Sequence, residues 1–475
     1  MKLPTLLSIA LLSVPAAVLP PPAGITAPKY SDLEQRKQQI RPLPGKLDKV
    51  LMVNDNNPEL ITSEGILIST FPTKSTKSSS AKTDKSNLAV SLNGRFDLFS
   101  HHVYAGHPDQ LESTLWLAVL AQPLGNKPVQ LTLLAGSTSL SQATEAGQTA
   151  APFLPLPTLI AETTIPIAAG PGSRVAGDLL RGTRVPELPI NWEIPPDSPS
   201  ALVVLPIPVA GLDPLLNGRN LQMRLQSSGS ISLATVAAYG NPKVAPLLSR
   251  LVELLQSGKL STKEHRPTPR GSSGKIVYSR VSGIQLGSTW KATLTDPGSP
   301  VLNAINTPIS WPISSLEKGS LGTGQVQTAE LTTLYDGTAW AAHGNYGVEY
   351  DLTLPLHNGS NQTKTYLLTL ESPLKNDNNN ASLNFRNSAT GPVMYRGLIE
   401  VSGLKSQARV SMGRRRFHLV LRQGQKGPDL GRITLKPGET HNIRVRLVYP
   451  ADATPPQVLT LLPVKQSKST PTINP

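Results

Sequence analysis

The stretch Leu115-Trp116-Leu117-Ala118-Val119-Leu120 runs through Gly125-Asn126 into Val129-Gln130-Leu131-Thr132-Leu133-Leu134. An unbroken apolar run, a Gly-Asn turn signal and a second run of β-formers describe two short strands joined by a turn. The same order recurs far downstream. There Tyr350-Asp351-Leu352-Thr353-Leu354 passes Asn358-Gly359 and continues as Tyr366-Leu367-Leu368-Thr369-Leu370. Each half then closes on a Pro-containing turn that feeds another strand. Ile194-Pro195-Pro196-Asp197 precedes Leu202-Val203-Val204-Leu205, and Leu435-Lys436-Pro437-Gly438-Glu439 precedes Ile443-Arg444-Val445-Arg446-Leu447. This echo predicts a mainly β chain of two tandem antiparallel β-sandwich domains of immunoglobulin-like type, at 41–240 and 275–464.

Composition agrees with frequent turns between short strands. The 475 residues include 45 prolines and 37 glycines, and only 4% are aromatic. One helix is expected between the halves, over 241–258, because Leu247, Leu248, Leu251, Val252, Leu254 and Leu255 share a broad face and Gly258 stands at its end. Pro267, Pro269, Gly271 and Gly274 mark a linker, so 241–274 reads as helix and linker.

At the N-terminus, Lys2 precedes a short apolar core, Leu6 to Leu12, and Val14-Pro15-Ala16, the pattern of a signal peptide over 1–16. The run is too short to cross a bilayer, and no later segment reaches the roughly 20 apolar residues a span needs. Residues 17–40 read as a flexible segment, Thr73 to Asn87 as a basic Lys/Ser/Thr loop, and 465–475 as a disordered tail. The expected destination is periplasmic or extracellular. The absence of cysteine excludes a disulfide framework, thiolate metal sites and a cysteine nucleophile.

The formal charge is +14. Outside the cytoplasm such a surface favours anionic polysaccharide or acidic envelope proteins as partners. Nucleic acid is disfavoured, because neither a zinc finger, an aromatic RNA-binding signature nor a basic zipper is present. No Walker loop, zincin motif or nucleophile elbow occurs either, which makes an enzyme the weaker reading.

Several local clusters carry possible chemistry. Arg409, Arg414, Arg415, Arg416 and Arg422 lie on strand-like runs around Gly413, where guanidinium groups could dock an anion or simply solvate an edge strand. His343, Asn345 and Tyr346, in His343-Gly344-Asn345-Tyr346-Gly347, form a turn that could present a sugar-binding surface or lead structurally into the strand at Tyr350. His101, His102 and His107 with Asp97 are competent metal ligands, but adjacent strand residues point to opposite faces, so no metal and no cofactor is assigned. Gly170-Pro171-Gly172-Ser173-Arg174 and Gly322-Thr323-Gly324-Gln325 lack phosphate-loop spacing and a convincing following helix, and read as β connections. Asn376-Asp377-Asn378-Asn379-Asn380 lacks the glycine and distal glutamate of a calcium loop. Asn358, Asn361 and Asn380 stand in glycosylation sequons.

Taken in order, Arg41-Pro42-Leu43-Pro44-Gly45, Glu64-Gly65-Ile66-Leu67, Ser69-Thr70-Phe71-Pro72, Gly170-Pro171-Gly172-Ser173-Arg174, Leu205-Pro206-Ile207-Pro208-Val209, Asn217-Gly218-Arg219, His343-Gly344-Asn345-Tyr346-Gly347 and Ala453-Thr454-Pro455-Pro456-Gln457 resemble the secreted cyanobacterial domain-of-unknown-function 3370 family. The resemblance spans nearly the whole chain after the signal. It implies an exported cyanobacterial protein and carries over no activity, cofactor or catalytic residue. The leading expectation is a non-enzymatic envelope or extracellular protein that binds anionic polysaccharide through basic hairpins. A carbohydrate-active enzyme acting near His343 and Tyr346, and an assembly subunit of a surface layer or filament, are the alternatives.

Overall fold

The computed structural model describes residues 32–73, 85–142, 159–160, 170–405 and 411–464, apart from positions 108, 278, 304–305 and 389. The expected signal peptide, most of the expected flexible segment and basic loop, Arg409 and the tail lie outside these residues. Among the described residues 25 strands and two helices are found, so the chain is mainly β.

The Thr114–Pro123 and Val129–Leu140 strands are joined by the Gly-Asn turn but are not partners of each other. Thr114–Pro123 pairs with Ser200–Pro208, and Val129–Leu140 pairs with Asn191–Ile194. The chain therefore crosses between layers at the first turn and crosses back at the Pro-Pro turn. In the second half Glu349–His357 pairs with Thr440–Val448, and Lys364–Glu371 with Gly431–Leu435, in two different sheets. The echo in sequence is thus one nested plan used twice: strand, arch, strand, then the antiparallel partners in reverse order.

Between the layers of the first half runs Asn217–Gly240, a strand of 24 residues. Its first part lies between Leu92–Tyr104 and Val129–Leu140, and its last part between Gly65–Ser69 and Thr114–Pro123. The register breaks between Ser227 and Ile231, around Gly229, which lets one strand serve both layers. This placement explains the unbroken apolar run at 115–120. Val119 and Ala121 pack into the core between the layers, whereas Ala118 and Leu120 pack beneath a helix, α2 (Leu248–Gln256), through Leu251, Leu254 and Leu255. That helix starts later than the sequence pattern suggests. Pro242 and Pro246 withhold two backbone donors, and Leu247, the cap residue, is 75% exposed. Gly258 ends it in a left-handed conformation, as expected.

The halves exchange strands. Residues 33–40, read from sequence as the end of a flexible segment, pair with the second half: Leu33–Lys37 with Ser382–Arg386, and Gln39–Ile40 with Ile309–Ile313. In return Val281–Leu286 joins the first-half sheet beside Leu51–Leu60 and carries Leu331–Leu334 at its edge. Pairing is also not uniformly antiparallel, since Leu51–Leu60 runs parallel to Leu92–Tyr104, and Thr289–Thr293 to Glu349–His357. One core cluster accordingly includes Met52 and Phe99 with Trp290, Trp311, Tyr350 and Tyr449.

A second helix, α1 (Pro171–Arg181), lies where the sequence suggested a β connection. Pro171 at its start, Gly182 left-handed at its end, and Val175, Ala176, Leu179 and Leu180 on one face were the available signals. Its first-turn amides at Gly172 and Ser173 donate to the Asp452 carboxylate, at 3.3 and 2.7 Å. The anion at this helix N-terminus is supplied by the other half of the chain itself. Gly172 is needed for the approach, because a Cβ there would lie 2.7 Å from Ala451 Cβ.

Candidate functional site

The Arg-rich strand Arg414–Arg422 does not turn at Gly413 onto the run before it, part of which lies outside the described residues, but pairs antiparallel with Val393–Ser402, with Glu400 opposite Arg416. On its other side Glu400 faces Arg446 of Thr440–Val448. Arg416 Nε donates to Glu400 Oε2 at 2.9 Å and Arg446 Nη1 to Glu400 Oε1 at 3.0 Å, while Arg414 Nε stands 3.6 Å from the same carboxylate. Glu400 is 2% exposed, so its charge is satisfied by these arginines rather than by water.

The row continues across the molecule. Arg446 also donates to Glu349 at 2.6 Å, and Glu349 accepts from Arg224 at 2.7 Å. Arg224 lies 3.9 Å from Asp97, which is held by Arg95 at 2.6 Å. Burial works against the Arg446 charge, yet Glu349 and Glu400 outweigh it and hold the guanidinium above its ordinary range. Of the remaining hairpin arginines, Arg422 donates to the Gly391 carbonyl at 3.0 Å, and Arg415 sits 5.8 Å over the Phe417 ring. Among the described arginines of this group only Arg414, 59% exposed, projects strongly into solvent.

The 343–347 turn is part of the seam between the halves. Asn345 donates its amide N–H to Ser314 Oγ at 2.8 Å and Nδ2 to Tyr350 Oη at 3.1 Å. Tyr346, 9% exposed, donates its hydroxyl to the Ala453 carbonyl at 3.1 Å, and its ring stacks near Phe99 and Tyr449. Gly347 takes φ +76° and would place a Cβ 2.8 Å from Phe99, and its carbonyl accepts from Gln222 at 2.7 Å. Asn345 and Tyr346 are therefore committed to the interior rather than presented to a ligand, and burial together with Lys375 lowers the His343 pKa to about 4.

The histidine candidates are dispersed. His102 bonds Asp55 at 2.9 Å with both side chains fully buried, and His107 packs edge-on against Tyr239. Burial, with His102 beside it, lowers the His101 pKa to about 4. No group of three or more His, Asp or Glu residues able to hold a metal is found among the described residues. Asp377 of the Asn-rich run accepts from the Gly319 and Ser320 amides, both at 2.7 Å, and ties its loop to the distant turn at 319–320. Asn358 is fully buried and donates to Gln362 and Leu435 carbonyls, so the folded chain withholds that sequon.

A different concave surface was not legible in the sequence. Residues expected to form a linker are pinned to the first-half sheet: Arg280 donates to the Ser261 and Thr262 carbonyls at 2.8 and 2.9 Å, and buried Glu59 accepts from the Glu264 and His265 amides. Thr268 and Val277 close the loop on itself. Beside it lies an open recess of about 600 Å³, lined by Lys263, Arg266, Pro267, Pro269, Asp336 and Trp340 among others. Lys263 and Arg266 have no ion-pair partner among the described residues, whereas Asp336 at the rim pairs with Lys85 at 2.8 Å. Arg270 sits 4.5 Å from the Trp340 ring centre and is anchored by Glu330 at 2.5 Å.

These features define a multi-sheet β protein with a buried row of paired arginines and carboxylates and an open concave surface where tryptophan stands beside two cations without an ion-pair partner among the described residues. The chain belongs to the family described as protein of unknown function DUF3370, whose profile matches residues 38–463. Curated proteins yield no match. Among solved structures, Lac15 from a marine microbial metagenome is 9% identical, with 90% of this chain and 65% of that chain covered and a TM-score of 0.11. This chain thus spans less than two thirds of that protein. The Macrobrachium rosenbergii nodavirus structure is 11% identical over 97% of this chain and 98% of that chain, with a TM-score of 0.13. Similarity at this level carries no structural argument.

Several of the stretches quoted from the sequence meet in space. Gly170-Pro171-Gly172-Ser173 receives Asp452, next to the Ala453-to-Gln457 motif, which in turn accepts from Tyr346. Arg219 donates to Pro206 and Asn217 to Pro208, while Trp290 donates to Pro44. No helix among the described residues is long and apolar enough to cross a membrane.

Proposed function

We propose that this chain is an exported, non-enzymatic protein of the cell envelope or extracellular space that binds anionic polysaccharide. The carrying observation is where its charge is spent. Glu349, Glu371, Glu400, Asp97 and Asp351 are all paired internally with arginines, whereas Lys263 and Arg266 line an open surface with no ion-pair partner among the described residues, in a chain whose formal charge is +14. Exposed cations of this kind attract flexible polyanions through a salt-sensitive, long-range field. The nested pairing used twice supports a further part of this reading, in which the halves are related immunoglobulin-like sandwiches that have exchanged strands.

Cell fractionation and a binding series of the processed chain with an acidic polysaccharide at increasing salt test the proposal. Retention in the envelope or medium, with affinity falling steeply as salt rises, is expected. Cytoplasmic retention, or binding that is absent or indifferent to salt, overturns it.

A further inference from the structure

The recess beside Trp340 offers more than diffuse positive charge. We infer that it is a specific subsite for an acidic sugar unit, with the indole supporting the sugar ring and Lys263 and Arg266 receiving its carboxylate. This inference rests on the polysaccharide-binding reading above and narrows it to one place.

Three observations carry it. The first is the pairing of chemistry. An indole offers a flat apolar surface with an electron-rich face, suited to the C–H face of a pyranose, while a guanidinium and an ammonium beside it match a carboxylate. The second is availability. Lys263 and Arg266 are free of ion pairs among the described residues, in contrast to the arginines around Glu400. Asp336 is the opposing charge at the rim, and its pairing with Lys85 leaves the lining positive overall.

The third is preorganisation. Glu59 holds the backbone at 264 and 265, Arg280 holds it at 261 and 262, and Ser279 Oγ donates to the His265 carbonyl at 2.7 Å. Arg270, fixed by Glu330, lies 4.5 Å from the ring centre and holds the indole in place. Side chains set on a pinned loop lose less freedom on binding than those of a mobile one.

The test is calorimetric titration of the processed chain with a uronate hexasaccharide and with the same hexasaccharide after carboxyl reduction. Tighter binding of the acidic form by at least about tenfold is expected. The double variant Lys263→Gln/Arg266→Gln should lose about tenfold or more for the acidic form, and Trp340→Ala should weaken it similarly while Trp340→Phe restores part of it. The control is Arg414→Gln/Arg415→Gln on the hairpin, which should bind as the parent does. Melting temperatures identify any variant that fails to fold, and the double variant alone keeps the inference testable if Trp340→Ala does. Undiminished binding by the double variant, with loss in the hairpin control, overturns the subsite and leaves the polysaccharide reading standing. Absence of binding to the acidic hexasaccharide by the parent chain overturns the subsite, and failure on long acidic polysaccharide as well removes the broader reading.

Discussion

The hairpin at 414–422 and the loop at 263–270 are both rich in cations, yet they use them in opposite ways. On the hairpin, Arg416 and Arg446 converge on a carboxylate that is 2% exposed. On the loop, the buried carboxylate Glu59 accepts backbone N–H groups, and Lys263 and Arg266 are left facing an open surface. The difference teaches that a count of arginines locates charge but not availability. What decides availability is whether a carboxylate lies on the neighbouring strand, and cross-strand neighbours are set by register.

The strongest way to break this comparison is to remove the shared carboxylate. Glu400→Gln leaves Arg416 without its carboxylate and Arg446 with Glu349 alone, and should cost about 3 kcal/mol in urea unfolding. A loss under about 0.5 kcal/mol would mean that water already serves these arginines. Next in size, Arg416→Gln should cost on the order of 1–2 kcal/mol, while Arg414→Gln, at 59% exposure, should stay within about 0.5 kcal/mol. Equal effects would erase the distinction between committed and available arginines within the hairpin itself.

Acidification gives a third, smaller contrast. His418 lies on the hairpin, and burial, with Arg181 nearby, lowers its pKa from 6.5 to about 4. A histidine depressed in the folded state is protonated first in the unfolded chain. Its contribution to stability is therefore complete above about pH 6.5, falls as pH drops towards 4, and levels off below that. His101 and His343 act in the same direction. Thermal unfolding between pH 7 and 4 should show a loss that His418→Gln partly flattens, on the order of 1 kcal/mol. An unchanged slope would place His418 in water. The smallest effect belongs to the loop: Lys263→Gln/Arg266→Gln should alter stability by no more than about 0.5 kcal/mol. A larger loss would show that these cations also hold the fold.

Strand content was legible because short β runs and turn residues write themselves locally. The repeated plan was legible as well, since both arches have the same strand, turn and Pro-turn order. Its geometry was not. A Gly-Asn turn between two strands reads equally as a hairpin or as a crossing between layers, and only the partners of each strand distinguish them. The candidate turn at 343–347 shows the same limit. Its glycines signalled a special backbone, but Gly347 serves a close approach to Phe99, more than two hundred positions away. The recess fared worst, because Lys263, Arg266 and Trp340 share no motif, and the first two stand in a segment whose prolines and glycines look like a linker, far from Trp340 in sequence.

By itself the sequence determined the β class, the lack of any disulfide and the excess of positive charge, because these follow from composition and local period. It also marks α1 through Pro171 and Gly182, although the glycines at its start resemble a β connection. Only the tertiary structure decided which cations are spent. Residues 33–40 and 281–286 pair with the opposite half, and Asp452 meets a helix N-terminus about 280 positions earlier. Such pairings depend on the register and crossing of strands, which are settled by packing over the whole chain and leave no local trace.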